Sequence, residues 1–249
     1  MLYQFRRRAN SREELIKLYK EAVLLVGSEA VVVQDLIPGG GEAQFSYTAL
    51  WYMDGPVEEM TARRTRQYPI EFGHTSSFVE VIDNDAVRTA ARKLLYSIGY
   101  VGLVEIEFKF DRRDSEYKVL DVNPRPWSWF ALCEAAGLDY PMLMRKIALG
   151  EAIDGVTVRG GQAWIHLSKD IFAAVQLFAR GELTGINYIR SLCQQLSFAA
   201  FAWDDPLPGI LELPLFVMRK ISRKPQSIFF SQSTASRKRG IQPATKSVP

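Results

Sequence analysis

Cysteines and long apolar runs are both scarce in this 249-residue sequence. The two cysteines, Cys133 and Cys193, form no metal-ligand spacing, so we expect reduced cysteines in an apolar core and no disulfide framework. No stretch reaches the roughly 18 consecutive apolar residues typical of a membrane-spanning helix. The basic amino terminus is not followed by an apolar run, so no secretory signal is expected there. Together these absences predict a cytoplasmic protein.

Acidic residues are absent from the end of the chain. Residues 219–249 contain eight Lys or Arg and neither Asp nor Glu, so the whole chain's net charge of +3 is concentrated there. The composition of residues 222–249, rich in Ser, Gln, Lys, Arg and Pro, predicts a disordered basic tail. Because no aromatic platform or base-reading motif accompanies the basic residues, we expect no specific nucleic-acid partner.

The apolar stretch before this tail, residues 211–218, allows two interpretations. One is an amphipathic helix at a membrane surface, because Arg219 and Lys220 follow it directly. The other is a helix packed on the protein body. Pro214 and the short length of the stretch favour the second interpretation, so membrane contact is not expected.

Local signals divide most of the chain into helices and strands. Ser11 followed by Glu14 predicts a helix with a capping box, apolar residues recur at helical spacing as far as Val26, and Gly27 ends the helix. The β-branched run over residues 30–36 predicts a strand. Strands are also predicted at residues 43–52, 57–62, 103–110, 117–122, 156–158 and 162–167, and helices at residues 85–98, 130–136, 141–149 and within 170–203.

The most informative stretch, residues 101–127, contains two strands joined by a charged turn. Strand alternation places Glu105, Glu107 and Lys109 on one face and apolar residues on the other. Asp121 and Asn123 share a face of the returning strand. Pairing the strands as a hairpin therefore brings Glu107, Asp121 and Asn123 together. Such an all-oxygen cluster suits a hard divalent cation such as Mg2+.

These residues also carry a family resemblance. An acid at Glu107, a second acid two residues before Asn123, and Pro124-Arg125 directly after it resemble the metal-binding end of an ATP-grasp domain. The resemblance extends to residues 99–102 and 135–141. It implies an α+β fold: an ATP-grasp C-terminal subdomain with an antiparallel sheet flanked by helices, followed by a helical C-terminal extension.

The resemblance also assigns roles to individual residues, with ATP and Mg2+ as cofactors and Mn2+ as an alternative ion. Metal ligands would be Glu107, Asp121 and Asn123, with Glu105 and Lys109 as outer partners. Gln34 and Asp35 would edge the adenine, Leu36 would offer its backbone, Ile37 would cover the ring and Glu42 would accept a ribose hydroxyl. Arg125 would stabilise an acyl phosphate, while Arg64 or Arg66 would contact the terminal phosphate or a carboxylate. A solvated face is the alternative interpretation of the arginines.

The resemblance covers residues 11–150, and a Gly-rich phosphate loop is missing before Gly39. We therefore expect a remnant of the small subdomain at residues 1–38, the core with its metal site at 39–150, closing strands and helices at 151–221, and the tail. Such a chain would be an ATP-dependent ligase for a small-molecule carboxylate and a nucleophile, with a separate chain supplying the N-terminal half. The alternative is a non-catalytic nucleotide-binding or interaction module.

Overall fold

The computed structural model describes residues 7–53, 55–70, 75–153 and 155–222. Helices in these ranges are α1 (Arg12–Val26), α2 (Asp85–Ser97), α3 (Ala131–Ala135), α4 (Tyr140–Leu149), α5 (Leu167–Ala179), α6 (Gly185–Leu192) and α7 (Leu207–Ser222). Strands are β1 (Gln44–Tyr52), β2 (Gly55–Tyr68), β3 (Thr75–Ile82), β4 (Gly102–Asp111), β5 (Glu116–Asn123), β6 (Gln162–Ile165) and β7 (Gln195–Phe198). The disorder predicted for the tail falls on residues 223–249, outside the described part.

All seven strands belong to one sheet, in the order β5-β4-β1-β2-β3-β6-β7. Every neighbouring pair is antiparallel except β6 and β7, which run parallel. Hairpins join β1 to β2 and β4 to β5, whereas β1 and β4 pair with each other although β2, β3 and α2 separate them in the sequence. The predicted α+β class, with a mainly antiparallel sheet flanked by helices, is confirmed.

The two faces of the sheet differ in character. Helix α2 covers one face, where Val87, Ala91 and Leu95 pack against Tyr47 and Ile106 in an apolar core. On the opposite face, a second core is built from the segment that follows β5 and contains Trp127, Trp129, Leu132 and Tyr140. This second core covers only part of its face, and polar side chains occupy the neighbouring part. The candidate site lies in that polar part.

Helix α1 forms as its capping signals predict, but among the described residues it buries no side chain against the sheet. The Ser11 hydroxyl accepts a hydrogen bond from the Glu14 amide at 3.1 Å, and the Glu14 carboxylate accepts one from the Asn10 amide at 2.8 Å. Gly27, with a φ of 83°, ends the helix in a conformation that favours glycine. No residue of α1 is buried. Local signals are therefore sufficient to form this helix, while its apolar side remains exposed.

Two predicted strands are wrong. Residues 30–36 are irregular, because no strand edge in the described part of the chain lies beside them to complete a ladder. Residues 156–158 are not a strand either: the Val156 amide donates to the Glu58 carboxylate at 2.7 Å, and the side chains of Val156 and Val158 pack against the second core. In both cases the β-branched composition predicted a strand, but neither segment pairs with a strand of the described sheet.

The region 170–203 is only partly helical. It contains most of α5, all of α6 and the strand β7, whose Leu196 packs against the small core formed with Phe78 and Ile165. Reading the whole region as helix was therefore wrong at β7, where pairing with β6 decides the conformation. The expected core position is confirmed for Cys133, which is buried, and wrong for Cys193, which is exposed after α6.

Helix α7 starts earlier than the predicted apolar stretch and continues through Pro214 to Ser222. Phe216 lies on its inner side and contacts the rings of Tyr68 and Phe172, with centroids 6.0 and 5.3 Å apart. Packing on the body is thus observed for one side of the helix. Across the described ranges, no helix combines the length and hydropathy required to cross a membrane.

Candidate functional site

The hairpin of β4 and β5 brings the predicted oxygen donors together. Glu107 lies directly opposite Asp121, and Glu105 lies opposite Asn123. The register shifts beyond this point, because Leu120 is an extra residue on β5. A β-bulge of this kind redirects side chains locally, and here it places Asp121 beside Glu107. The spatial relationship expected among Glu107, Asp121 and Asn123 is therefore present.

Glu105 is the most deeply buried acid of this cluster, with 1% of its surface exposed. Its carboxylate accepts hydrogen bonds from the Ser46 hydroxyl at 2.9 Å and from the Asn123 amide nitrogen at 3.5 Å. Burial and the nearby charge of Glu107 raise the pKa of Glu105 to about 7, against the opposing effects of Arg64 and Ser46. When Glu105 and Glu107 are both ionised, their negative charges repel each other. A cation bound between them would reduce this repulsion.

Arg64 supplies the positive charge that faces the cluster. Its guanidinium forms an ion pair with Glu107, and its Nε donates to the Ser76 hydroxyl at 2.7 Å. Arg64 is buried, whereas the Glu107 side chain is about one quarter exposed. The guanidinium of Arg64 is thus held by two partners: Ser76 on β3, which is buried, and Glu107, which lies at the more exposed side. The contact of Arg64 with a terminal phosphate or a carboxylate remains a prediction.

Arg125 and Asp121 form the exposed rim of the site. Arg125 donates from Nη2 to the side-chain oxygen of Asn123 at 2.9 Å. Asp121 is exposed, and one of its oxygens accepts a hydrogen bond from the Val122 amide at 2.9 Å. Asn123 is itself buried, between the carboxylate of Glu105 and the guanidinium of Arg125. The rim therefore combines one exposed cation with oxygen donors in a layer beneath it.

Arg66 does not belong to this site, which corrects the prediction for it. Its guanidinium lies 2% exposed, donates to both oxygens of Asp170 at 2.8 and 2.9 Å, and stacks over the Phe78 ring at 4.1 Å. The register of β2 with β3 shifts on both sides of Arg66. These shifts send Arg64 and Arg66 to different partners, so only Arg64 can reach a ligand at the cluster.

The Gly-rich turn at residues 39–41 packs beside the site. A Cβ on Gly41 would lie 2.7 Å from the Thr65 carbonyl oxygen, so the turn approaches the β2 backbone as only glycine allows. Glu42 folds back and accepts a hydrogen bond from the Gly40 amide at 3.1 Å. The nearby Lys109 side chain is half-buried, and this burial lowers its pKa. Glu42 is thus held in place but is still partly exposed.

The residues expected at an adenine edge precede this turn. Gln34, Asp35 and Leu36 are exposed, and Ile37 is half-buried. They form an extended irregular segment that joins no strand. Their backbone groups face no partner strand in the described part of the chain, as the adenine-edge hypothesis requires. Their roles remain predictions.

The donor set fits a Mg2+ ion in its chemistry. Mg2+ is usually held by one or two carboxylates together with substrate phosphates and water, and Glu107, Asp121 and the Asn123 oxygen supply that number. A group of three acids, histidines or cysteines that could hold an ion unaided is absent among the described residues. When bound, the ion would have to replace Arg64 as the partner of Glu107 or share the carboxylate with it.

Sequence reasoning missed two hydroxyls at the site, Ser46 and Ser76. Each orients a charged side chain: Ser46 holds Glu105, and Ser76 holds Arg64. A serine on a strand has no sequence signature that marks it as functional. The partner of Ser46 lies 59 residues away and the partner of Ser76 lies 12 residues away. Alternation along β1 indicates only which residues share a face with Ser46, and the register of β1 with β4 then places Ser46 opposite Glu107 and beside Glu105.

Most of the site, including Arg64, Glu105, Glu107, Asp121 and Asn123, lies within a segment that matches a family model. Residues 57–156 match the family model of the carbamoyl-phosphate synthase L chain, ATP binding domain. The carbamoyl phosphate synthase large chain of Thermomicrobium roseum is 35% identical over 75 residues, which are 30% of this chain and 7% of that protein. The N-terminal section of the large chain of Methanopyrus kandleri is 25% identical over 157 residues, or 59% of this chain and 27% of that protein.

Solved structures with a similar course of the chain include the biotin carboxylase of Campylobacter jejuni in a complex with an ATP analogue. That match has a TM-score of 0.46 at 17% identity and covers 61% of this chain and 34% of the other. The chain spans less than a third of the length of the two carbamoyl phosphate synthase relatives. Its matched segment includes β4, β5 and the donors Glu107, Asp121 and Asn123. Over residues 57–156 the chain is therefore similar to the ATP-binding domain of carbamoyl phosphate synthase large chains.

Proposed function

We propose that this chain provides the metal- and phosphate-facing part of an ATP-dependent ligase that activates a carboxylate through an acyl phosphate. The observation that carries the proposal is the cluster of Glu105, Glu107, Asp121 and Asn123 facing Arg64 on one open part of the sheet. Carboxylates in such proximity cost free energy unless a cation offsets them. The same donors supply the oxygen ligands suited to Mg2+ beside nucleotide phosphates.

Each side chain has a separate task in this proposal. Glu107, Asp121 and Asn123 would hold Mg2+, which neutralises negative charge on the phosphates when bound. Arg64, held by Ser76, presents its guanidinium to the carboxylate substrate or the terminal phosphate as a planar donor. Arg125 is exposed and can move from Asn123 towards the transferring group. The phosphorylated carboxylate is then attacked by a nucleophile, and phosphate leaves.

A second polypeptide segment is part of the proposal, because the surfaces before β1 are incomplete. Helix α1 buries none of its residues, and Leu24 and Leu25 are exposed. Residues 31–37 present β-branched side chains and backbone groups beside which the described part of the chain places no strand. Further strands packed against this helix and segment would complete a subdomain able to close over the nucleotide. Such strands would come from a partner chain or from sequence outside this one.

A non-catalytic nucleotide-binding module is the second candidate, and Arg66 favours it. Of the two arginines expected in the cleft, Arg66 is bound by Asp170, so fewer cations remain for phosphate groups. Lys17 and Lys20 lie on α1, away from the sheet. A module of this kind would bind nucleotide and metal without transferring phosphate. It differs from the ligase only in the absence of turnover.

Calorimetric titration of the purified chain with a non-hydrolysable ATP analogue tests the metal and nucleotide parts of the proposal. We expect heat of binding in the presence of Mg2+ and its loss after addition of a chelator. Identical heats with and without Mg2+, or no heat from a folded sample, would contradict the assigned site. Release of phosphate from ATP on addition of candidate carboxylates would then favour the ligase over the non-catalytic module.

A further inference from the structure

Helix α7 is apolar on two opposite sides. Its inner side faces the body, where Glu212 pairs with the His166 Nδ1 at 2.7 Å and accepts a hydrogen bond from the Ser168 hydroxyl at 2.9 Å. Phe216 completes the inner contact by packing on Tyr68 and Phe172. The outer side has no polar residue at its centre. Its large apolar side chains are all exposed: Leu207, Ile210, Leu211, Leu215, Met218 and Ile221.

These outer residues form one continuous stripe. At about 100° per residue they fall, with Pro214, within an arc of roughly 140°. Ile210 and Met218 are each 62% exposed and Ile221 is 79% exposed. Trp203, just before the helix, is 90% exposed. An amphipathic helix on a globular protein normally buries its apolar stripe, so a second exposed stripe indicates a surface for a partner.

The charge around α7 indicates which partner this is. Arg219 is exposed near the end of the helix, and residues 219–249 hold eight Lys or Arg with no Asp or Glu. Two acids, Asp204 and Asp205, precede the helix at its other end. The net charge of the helix and the sequence after it is therefore strongly positive. An anionic lipid surface would neutralise this positive charge, whereas the same region of a second copy of this chain would add an equal positive charge beside it.

We infer that α7 and the basic sequence after it dock this protein onto an anionic membrane surface. The apolar stripe inserts among the lipid headgroups, and the basic residues attract the acidic lipids. The helix lies in the plane of the interface, since its length and hydropathy do not suit a membrane span. Exposed Trp203 suits the same boundary, because indole rings favour the headgroup level. The expectation from sequence that membrane contact is absent is replaced by this inference.

Vesicle binding of the full chain, followed by flotation and by tryptophan fluorescence, tests the inference. Trp51, Trp127, Trp129 and Trp164 are buried, so a blue shift on adding vesicles reports on Trp203. We expect a blue shift and flotation with phosphatidylcholine vesicles containing about one third phosphatidylserine, and at least a ~10-fold weaker response with phosphatidylcholine alone. Raised salt should weaken the binding.

Two variants separate the apolar and the charged contributions. Replacing Ile210, Met218 and Ile221 by Gln should reduce vesicle binding by ~10-fold or more, without loss of folding, since all three side chains are exposed. Replacing Arg219 and Arg223 by Gln removes two of the eight basic residues and should reduce the preference for phosphatidylserine. The matched control is Ile186→Gln with Ile189→Gln on α6, two exposed apolar residues of a different helix, which should change neither response.

The inference is overturned by any of three results. Wild-type protein that fails to float with anionic vesicles contradicts it directly. Equal binding to neutral and anionic vesicles contradicts the electrostatic part. A dimer in sedimentation velocity that the Ile210, Met218 and Ile221 replacements dissociate, with no vesicle binding, would instead assign the stripe to a second copy of the chain. The nucleotide titration described above is independent of all three.

Discussion

Arg66 on β2 and Asp170 on α5 form a two-pronged ion pair between residues 104 positions apart in the sequence. Nε and Nη2 of the arginine donate to separate carboxylate oxygens at 2.8 and 2.9 Å, and both side chains are almost completely buried. The Ser77 hydroxyl donates to the same carboxylate at 3.0 Å. This pair joins the sheet to the C-terminal helices and removes Arg66 from the candidate site.

Breaking this pair should destabilise the protein strongly. Asp170→Asn leaves the Arg66 guanidinium buried without a negative partner, which typically costs about 3 to 5 kcal/mol. Urea denaturation followed by circular dichroism measures the loss. Glu151→Gln is the control, because its ion pair with Arg145 is exposed and should contribute less than ~1 kcal/mol. Equal stabilities of the two variants would show that the buried pair contributes no more than an exposed one.

The Gly-rich turn should tolerate a methyl group at one glycine and not at its neighbour. Gly41→Ala places a Cβ 2.7 Å from the Thr65 carbonyl oxygen and 3.0 Å from that of Arg64, so the turn must move away from β2. We expect a loss of about 1 to 3 kcal/mol in the free energy of unfolding. At Gly40 the added methyl would meet the end of the Glu42 side chain, which can rotate away.

Gly40→Ala is therefore the matched control and should be close to wild type in urea denaturation. In Gly41→Ala the added methyl group contacts rigid backbone, and in Gly40→Ala it contacts the flexible side chain of Glu42. A Gly41→Ala protein as stable as Gly40→Ala would mean that the turn does not press on β2.

Removing one carboxylate of the proposed metal site should affect binding and spare folding. Asp121 is exposed, so Asp121→Ala should change stability by no more than ~0.5 kcal/mol. Loss of a side chain that only supports a metal ligand typically lowers metal affinity by ~10-fold or more. The affinity for the ATP analogue with Mg2+ should therefore fall by at least that factor in Asp121→Ala. Asp114→Ala removes an exposed acid from the turn between β4 and β5 and serves as the control. Unchanged affinity in Asp121→Ala would remove Asp121 from the site.

Acid should destabilise the folded protein through His166, at the start of α5. Burial and the charge of Lys169 lower the pKa of His166 below its ordinary 6.5, and Glu212 opposes this only in part. The unfolded chain therefore binds the imidazole proton more readily than the folded protein. The stability that His166 contributes is complete above pH 6.5 and is lost as the pH falls through 6.5 towards the lower folded pKa.

The measurement is the urea midpoint of wild type and His166→Gln at about pH 7.5 and about pH 5.5. The variant should lose less stability between the two values than wild type does. His74→Gln replaces the sequence's other histidine and controls for the simple loss of an imidazole. If all three proteins lose the same stability, His166 does not contribute to the acid sensitivity.

The sequence alone determined the features that depend on local signals. The caps of α1 and α2, the hairpin of β4 and β5, and the alternation that places Glu105 and Glu107 on one face could all be derived, because their partners lie within a few residues or on the adjacent strand. The resemblance to ATP-grasp domains rests on the same hairpin. The candidate metal donors were predictable for this reason.

The tertiary structure decided the features that depend on distant partners. Arg64 and Arg66 are equivalent in the sequence, and only the position of Asp170 shows which of them is withdrawn from the site. Residues 30–36 have strand composition but no neighbouring edge, so they form no strand. For α7, the sequence shows apolar residues around the whole helix. Which of them face the body and which face outward depends on contacts with α5 and β2 that lie more than 40 residues away.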